Sequence, residues 1–145
     1  MKNSTIKILL IIIIGFTFSW SQSISDSLAI KATALNYIDG YYEANADRMT
    51  KALHTDLAKR MVYNKEGQDI LHKMSATDLI DGTGKREATP INKRISEVSI
   101  LDIYGNTASV KIIAADWIDY LHIVKWQGDW KIINVLWEMF PRTDK

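Results

Sequence analysis

An α+β fold is predicted by three features of the chain: helical spacing of apolar residues through its first half, β-branched alternation after Pro90, and the turn dipeptides Gly105-Asn106 and Gly128-Asp129 that divide the second half into strands. Helices followed by strands argue against alternating βαβ units. The strands joined by tight turns read as an antiparallel meander.

The elements follow in order. From Ser25 or Asp26, either of which can serve as N-cap, Leu28, Ala32, Leu35, Ile38 and Tyr42 recur at helical intervals and predict a long first helix. Gly40 sits inside it. A glycine there costs close to ~1 kcal/mol relative to alanine, so its expected use is to let another backbone pass close by. Asn45-Ala46-Asp47 ends this helix and caps a short second one, Arg48 to Leu53. Lys59 to Tyr63 predicts a short strand before a Lys65-Glu66-Gly67 turn. Ser75-Ala76-Thr77-Asp78 has the form of a capping box and predicts a third helix to Asp81, with 81–85 read as a loop. Beyond Pro90, Ile95, Val98, Ile100 and Ile103 fall on one strand and Val110 and Ile112 on the next, parted at Gly105-Asn106. The last strand carries Trp130, Ile132, Asn134 and Leu136 on one face and Ile133, Val135 and Trp137 on the other. With both faces largely apolar, one is expected to meet a second subunit, giving a homodimer through the sheet.

The N-terminus has the form of a secretory leader: Lys2 and Lys7, an apolar run from Ile8 to Phe18, and small residues at Ser19 and Ser21. The run falls short of the ~20 residues a membrane helix needs. We place cleavage after Ser21, leaving 22–145 as a single domain destined for the periplasm or medium, with no membrane attachment once the leader is gone. Loss of Lys2 and Lys7 takes the 18 basic residues to 16 against 17 acidic ones, a balance that argues against a nucleic-acid partner. The chain has no cysteine, so disulfides, thiolate metal sites and a lipoprotein anchor are excluded.

From Asp119 to Trp137 the closing hairpin reads Asp119-Tyr120-Leu121, then Lys125, Gly128 and Trp130-Lys131-Ile132-Ile133-Asn134. It resembles the D-Y-L and G-x-W-K-I-V-N patterns of the putative lumazine-binding branch of the nuclear transport factor 2-like superfamily. His54-x-Asp56-Leu57 is similar to that family's H-P-D-L, with Thr55 where proline is usual, and Leu71 with Met74-Ser75 matches a looser segment. The connection between Ala114 and Asp119 is short and lacks glycine, and Trp117 stands where a longer loop would otherwise cover the fold. The resemblance spans most of the mature chain. It implies a curved antiparallel sheet wrapped around N-terminal helices, enclosing a cone-shaped cavity suited to a small, partly apolar ligand. It assigns no catalytic residue.

Three histidines could move a proton near neutral pH. His54, His72 and His122 match no metal-binding spacing, so no metal or other cofactor is expected. His122 with Asp116 or Asp119 and Tyr120 forms one candidate constellation, although Asp119 and His122, three apart on an unbulged strand, face opposite ways. His54, after the second helix, belongs near the rim of a cone or caps the helix end. The Gly82-Thr83-Gly84-Lys85 run lacks the spacing of a phosphate loop, and no nucleophile elbow is present. Five tryptophans and six tyrosines suit flat ligands by stacking. The expectation is therefore a small-molecule-binding module with contacts from Tyr41, His54, Trp117 and Tyr120. Its alternatives are an isomerase, dehydratase or cyclase using His54 or His122, with Asp119 as a further catalytic candidate, and a ligand-free dimerisation scaffold.

Overall fold

The computed structural model describes residues 24–141. The leader, its cleavage point and Trp20 lie outside the described residues. Helix α1 spans residues 24–42, and α2 spans Ala46–Ala52. Strands β1 (Leu53–Lys65) and β2 (Gln68–Met74) form a first hairpin, followed by α3 (Ala76–Lys85) and a 3-10 turn at Ile91–Lys93. Strands β3 (Glu97–Tyr104), β4 (Thr107–Ile113), β5 (Trp117–Trp126) and β6 (Asp129–Met139) complete the chain. One six-stranded sheet results, in the order β2-β1-β6-β5-β4-β3.

The curved sheet wraps around the helices as an open cone, and it is mixed rather than wholly antiparallel. β1 and β6 run parallel, with Ala58 opposite Asn134 and Lys59 opposite Val135, while every other pair is antiparallel. The parallel pair follows from connectivity. The first hairpin comes before the meander in the chain and docks on the meander's last strand.

Helix α1 lies on the inner face of the sheet, and of the predicted stripe Ile38 and Tyr42 are buried and Leu35 half-buried, whereas Leu28 and Ala32 are exposed. Ile30, Ala34 and Tyr37 complete the buried face. Toward the N-terminus of the helix two rows satisfy the helical period, and the one with larger apolar volume packs inward. Several polar contacts hold α1 to the sheet. The Thr33 hydroxyl donates to the Trp130 carbonyl at 3.1 Å, Tyr37 reaches Asp119, and Lys125 pairs with Asp26 at 2.8 Å.

Gly40 does what its position suggests. A Cβ there would stand 3.0 Å from Arg48 Cβ and 3.1 Å from the Met49 amide nitrogen, so α2 crosses directly above it. Asn45 caps α2 by accepting from the Arg48 amide. The Ser75–Asp78 capping box also forms, but α3 continues beyond Asp81 to Lys85. The glycines at 82 and 84 do not break it, because Leu79 and Thr83 are buried on one face of the helix. Helix α2 ends one residue short of Leu53, which begins β1, and β1 is much longer than the predicted Lys59–Tyr63 run.

Strand β6 corrects the expectation of two apolar faces. His122 pairs with Asn134 and Ile123 with Ile132, leaving Ile133 as an extra residue. This bulge shifts the alternation by one. Trp130, Ile132, Val135 and Trp137 therefore lie on one inner face. The outer face carries Lys131, Asn134, Leu136 and Glu138, opposite Val124, His122, Tyr120 and Ile118. At the hairpin tip, Gln127 and Gly128 have φ of 51° and 93°, the left-handed conformation a tight turn requires. Trp130 is buried beneath that turn, with its indole donating to Asp26.

The close approach at Gly40 yields a stability prediction. Gly40→Ala gains up to ~1 kcal/mol of helix propensity but meets backbone at 3.1 Å, and overpacking of that kind costs about 1–3 kcal/mol. A lower urea midpoint than wild type is expected; an unchanged or higher one would show that the α1–α2 crossing yields freely.

Candidate functional site

A cavity of about 240 Å³ opens between the C-terminal half of α1 and the wide end of the sheet. Tyr37 and Tyr41 enter it from α1, Lys59 from β1, and His72 and Met74 from β2. Leu79 of α3, Asp116 before β5, Trp117 of β5, and Trp137 and Met139 of β6 close the rest. Its walls are predominantly aromatic and aliphatic, with a few polar groups among them, the usual composition of a small-molecule site.

One wall is built of interlocked rings. Tyr41 meets Trp117 edge-to-face at 5.1 Å, and Tyr42 lies 6.0 Å from each. The Arg86 guanidinium covers Tyr41 at 3.6 Å and donates to the Tyr41 carbonyl, so the ring is clamped from behind.

The floor is a buried ion pair. Lys59 Nζ lies 3.0 Å from Asp119 Oδ1, with the two side chains 6% and 0% exposed. Lys59 also donates to the Tyr37 hydroxyl at 2.5 Å, and Tyr37 in turn donates to Asp119 at 3.3 Å. The Trp117 indole completes the set by donating to Asp119 Oδ2 at 2.6 Å. The Asp119 carboxylate thus accepts from three different side chains. Burial pushes the Tyr37 hydroxyl well above the usual tyrosine range, and the adjacent Asp119 charge adds to the effect. Burial lowers the Lys59 ammonium from its ordinary value, opposed by its attraction to Asp119. Trp137 stacks beneath Lys59, its ring centroid 4.7 Å from Nζ.

The structure divides the residues singled out from sequence. Tyr41 and Trp117 line the cavity, and Asp119 lies fully buried behind that lining, bonded to its Lys59, Tyr37 and Trp117. Tyr120 and His122 lie on the outer face, where His122 Nδ1 is 3.3 Å from Asn134 Nδ2. Asp119 and His122 therefore point to opposite sides, as strand parity requires. His54 belongs to β1 instead of a helix end. Its Nδ1 accepts from the Asp56 amide, its ring meets Trp126 edge-on at 4.8 Å, and it is not part of the cavity lining. Lys59 and Tyr37 were not foreseen as a unit with Asp119. Among the described residues, no cluster of three or more His, Asp or Glu side chains is arranged to hold a metal.

Residues 25–138 match the model of the family described as "Putative lumazine-binding". The chain belongs to that family. Solved structures agree on the scaffold. A nuclear transport factor 2-like protein of unknown function from Shewanella baltica superposes with a TM-score of 0.68 at 20% identity, covering 82% of this chain and 97% of its own. A second such protein, from Silicibacter pomeroyi, gives 0.66 at 13% identity over 81% and 98%. A putative scytalone dehydratase from Novosphingobium aromaticivorans gives 0.61 at 14% identity over 86% and 91%. At these identities the likeness establishes the nuclear transport factor 2-like fold and nothing about chemistry. No curated protein matches the chain.

Two outcomes test the floor. Asp119→Ala leaves an uncompensated buried ammonium and is expected to destabilise by about 3–5 kcal/mol, whereas the double replacement Lys59→Met with Asp119→Leu removes that charge and recovers part of the loss, the Tyr37 hydroxyl and Trp117 indole still lacking their acceptor. A denaturant series giving less than about 1 kcal/mol for Asp119→Ala would contradict a tight pair.

The second outcome is a pH dependence. Tyr37 holds its proton more tightly when folded, so its contribution is intact below pH ~10 and lost as pH rises through the ordinary tyrosine range toward the raised folded value. Lys59, with its folded value lowered, acts with the opposite sign: its contribution is present above pH ~10.4 and lost as pH falls. Since Lys59 remains in both proteins, the stability advantage of wild type over Tyr37→Phe should shrink between pH 8 and 10.5. Parallel stability curves would refute the assignment.

Proposed function

We propose that this chain is an exported module that binds a small, flat, partly apolar organic molecule in its cone. One observation carries the reading: a cavity of about 240 Å³ with clamped aromatic walls and, at its base, Lys59 held in a buried ion pair with Asp119. A buried charge pair under an apolar cavity gives a ligand both surface to stack on and a polar anchor. The family description favours the same class of ligand. Export rests on the N-terminal pattern of Lys2, Lys7 and the apolar run ending at Ser21.

Homodimerisation through the outer sheet face belongs to the same proposal, on altered grounds. The bulge at Ile133 removes the two-faced apolarity of β6, but Tyr120 and Leu136, paired across β5 and β6, remain 44% and 54% exposed. Large side chains standing together on a sheet face suit a partner surface.

A proton-transfer enzyme is the second reading, favoured by His72 at the cavity wall and by the structural likeness to a putative scytalone dehydratase. His54 and His122 lie outside the cavity lining, which moves this role to His72. A scaffold without ligand is the third.

Native and denaturing mass spectra of the protein expressed with its leader test these readings together. The expected result is a dimer of chains lacking 1–21 that carries a small mass released on denaturation. A monomer of full-length chains with no added mass, and no thermal shift with flavins, pterins or steroids, would contradict all parts of the proposal.

A further inference from the structure

Resting on the reading of the cone as a ligand site, we propose that its ligand is a neutral, planar molecule of one or two fused rings whose carbonyl oxygen is taken by the Lys59 ammonium and the Trp137 indole N–H. Size sets the first limit. At about 240 Å³ the cavity falls below the ~300–1,000 Å³ typical of drug-sized ligands, so it suits a compact ring system. Shape sets the second. Tyr41 is fixed between Trp117 and Arg86 and cannot move aside without losing the edge-to-face contact and the guanidinium above it. A flat molecule fits against such a wall better than a branched one.

Hydrogen bonding identifies the polar end. Of the three N–H donors of Lys59, one goes to Tyr37 and one to Asp119, while the Trp137 ring lies 4.7 Å from Nζ. A carbonyl oxygen is a stronger acceptor for the remaining donor than a π face. Trp137 adds a second donor. Its buried Nε1 has no hydrogen-bond partner among the described residues, an unfavourable state that an acceptor would relieve. The atom is closed off in this conformation, so the indole must turn within the cavity it lines to meet a ligand oxygen. The other donors at the floor, Tyr37 and Trp117, are already committed to Asp119.

Charge disfavours an anionic head. The floor combines one cation with one anion, and Asp116 stands at the exposed edge of the same cavity. A carboxylate or phosphate placed there would compete with Asp119 for Lys59 and face Asp116, with the His72 imidazole as the one other basic side chain in the lining. A carbonyl supplies the acceptor without that charge.

The test uses the ¹⁵N-labelled protein and reads its indole N–H signals while three probes are added: coumarin, which has a ring carbonyl; naphthalene, of similar size with no acceptor; and 2-naphthoate, which is anionic. Loss of a signal in Trp137→Phe assigns Trp137. Coumarin should move the Trp137 signal downfield and bind about tenfold more tightly than naphthalene. That advantage should shrink in Trp137→Phe and again in the Lys59→Met, Asp119→Leu double variant, with naphthalene affinity reporting any change of wall shape. Naphthalene binding as tightly as coumarin, or an unmoved Trp137 signal, overturns the carbonyl assignment while leaving the cone a binding site. Tightest binding by 2-naphthoate overturns neutrality. No binding by any of the three removes both the assignment and the ligand-site reading beneath it.

Discussion

The buried pair between Lys59 and Asp119 is the constraint around which the structure is organised. An ammonium and a carboxylate withdrawn from water each carry a desolvation cost of several kcal/mol, and their attraction offsets it only with good geometry and further hydrogen bonds. Here those bonds come from Tyr37 on α1 and Trp117 on β5, so one carboxylate joins the helix to both β1 and β5. The same contacts fix how far α1 sits above the sheet and therefore how deep the cone is. Thr33 on Trp130 and Asp26 with Lys125 repeat the attachment toward the narrow end. Cavity and core are two sides of one polar seam.

The backbone serves this arrangement at two points. The bulge at Ile133 lets β6 present Trp130 and Ile132 to the core and, beyond the bulge, Val135 and Trp137 to the same side. Without it Trp137 would point outward and the floor would lose the ring beneath Lys59. The parallel pairing of β1 with β6 then brings Lys59 opposite Val135, one residue along from Asn134, which places the lysine on the inner surface across from Asp119.

These relations explain what could be read from the residues and what could not. The two N-terminal helices, the turns at Gly105 and Gly128, the Ser75–Asp78 cap and the close approach at Gly40 are local, so spacing and residue type disclose them. The inward stripe of α1 was ambiguous toward its N-terminus because two rows share the helical period there. The parallel strand pair and the bulge at Ile133 depend on partners distant in sequence, and no local pattern marks them. The site divides along the same line. Tyr41, Trp117 and the opposed facing of Asp119 and His122 were accessible from helix position and strand parity, whereas Tyr120 falls outward by the same parity. Lys59 was missed for a specific reason. With β1 taken to begin at that residue, there was no alternation to place it; the full strand puts Leu57 and Lys59 on the same buried side, and a lysine continuing an inward apolar row is the signal that would have found it.

The scaffold is shared by proteins of very different names, so whatever this member does must come from the side chains of its own cone. Those side chains are set by the Lys59–Asp119 seam, and the most direct test is to observe the Lys59 ammonium itself by ¹⁵N NMR at neutral pH. The account predicts a separate, slowly exchanging Nζ signal that disappears in Lys59→Met and shifts in Asp119→Asn. A Lys59 ammonium exchanging with water as fast as the surface lysines, and indifferent to Asp119→Asn, would contradict it.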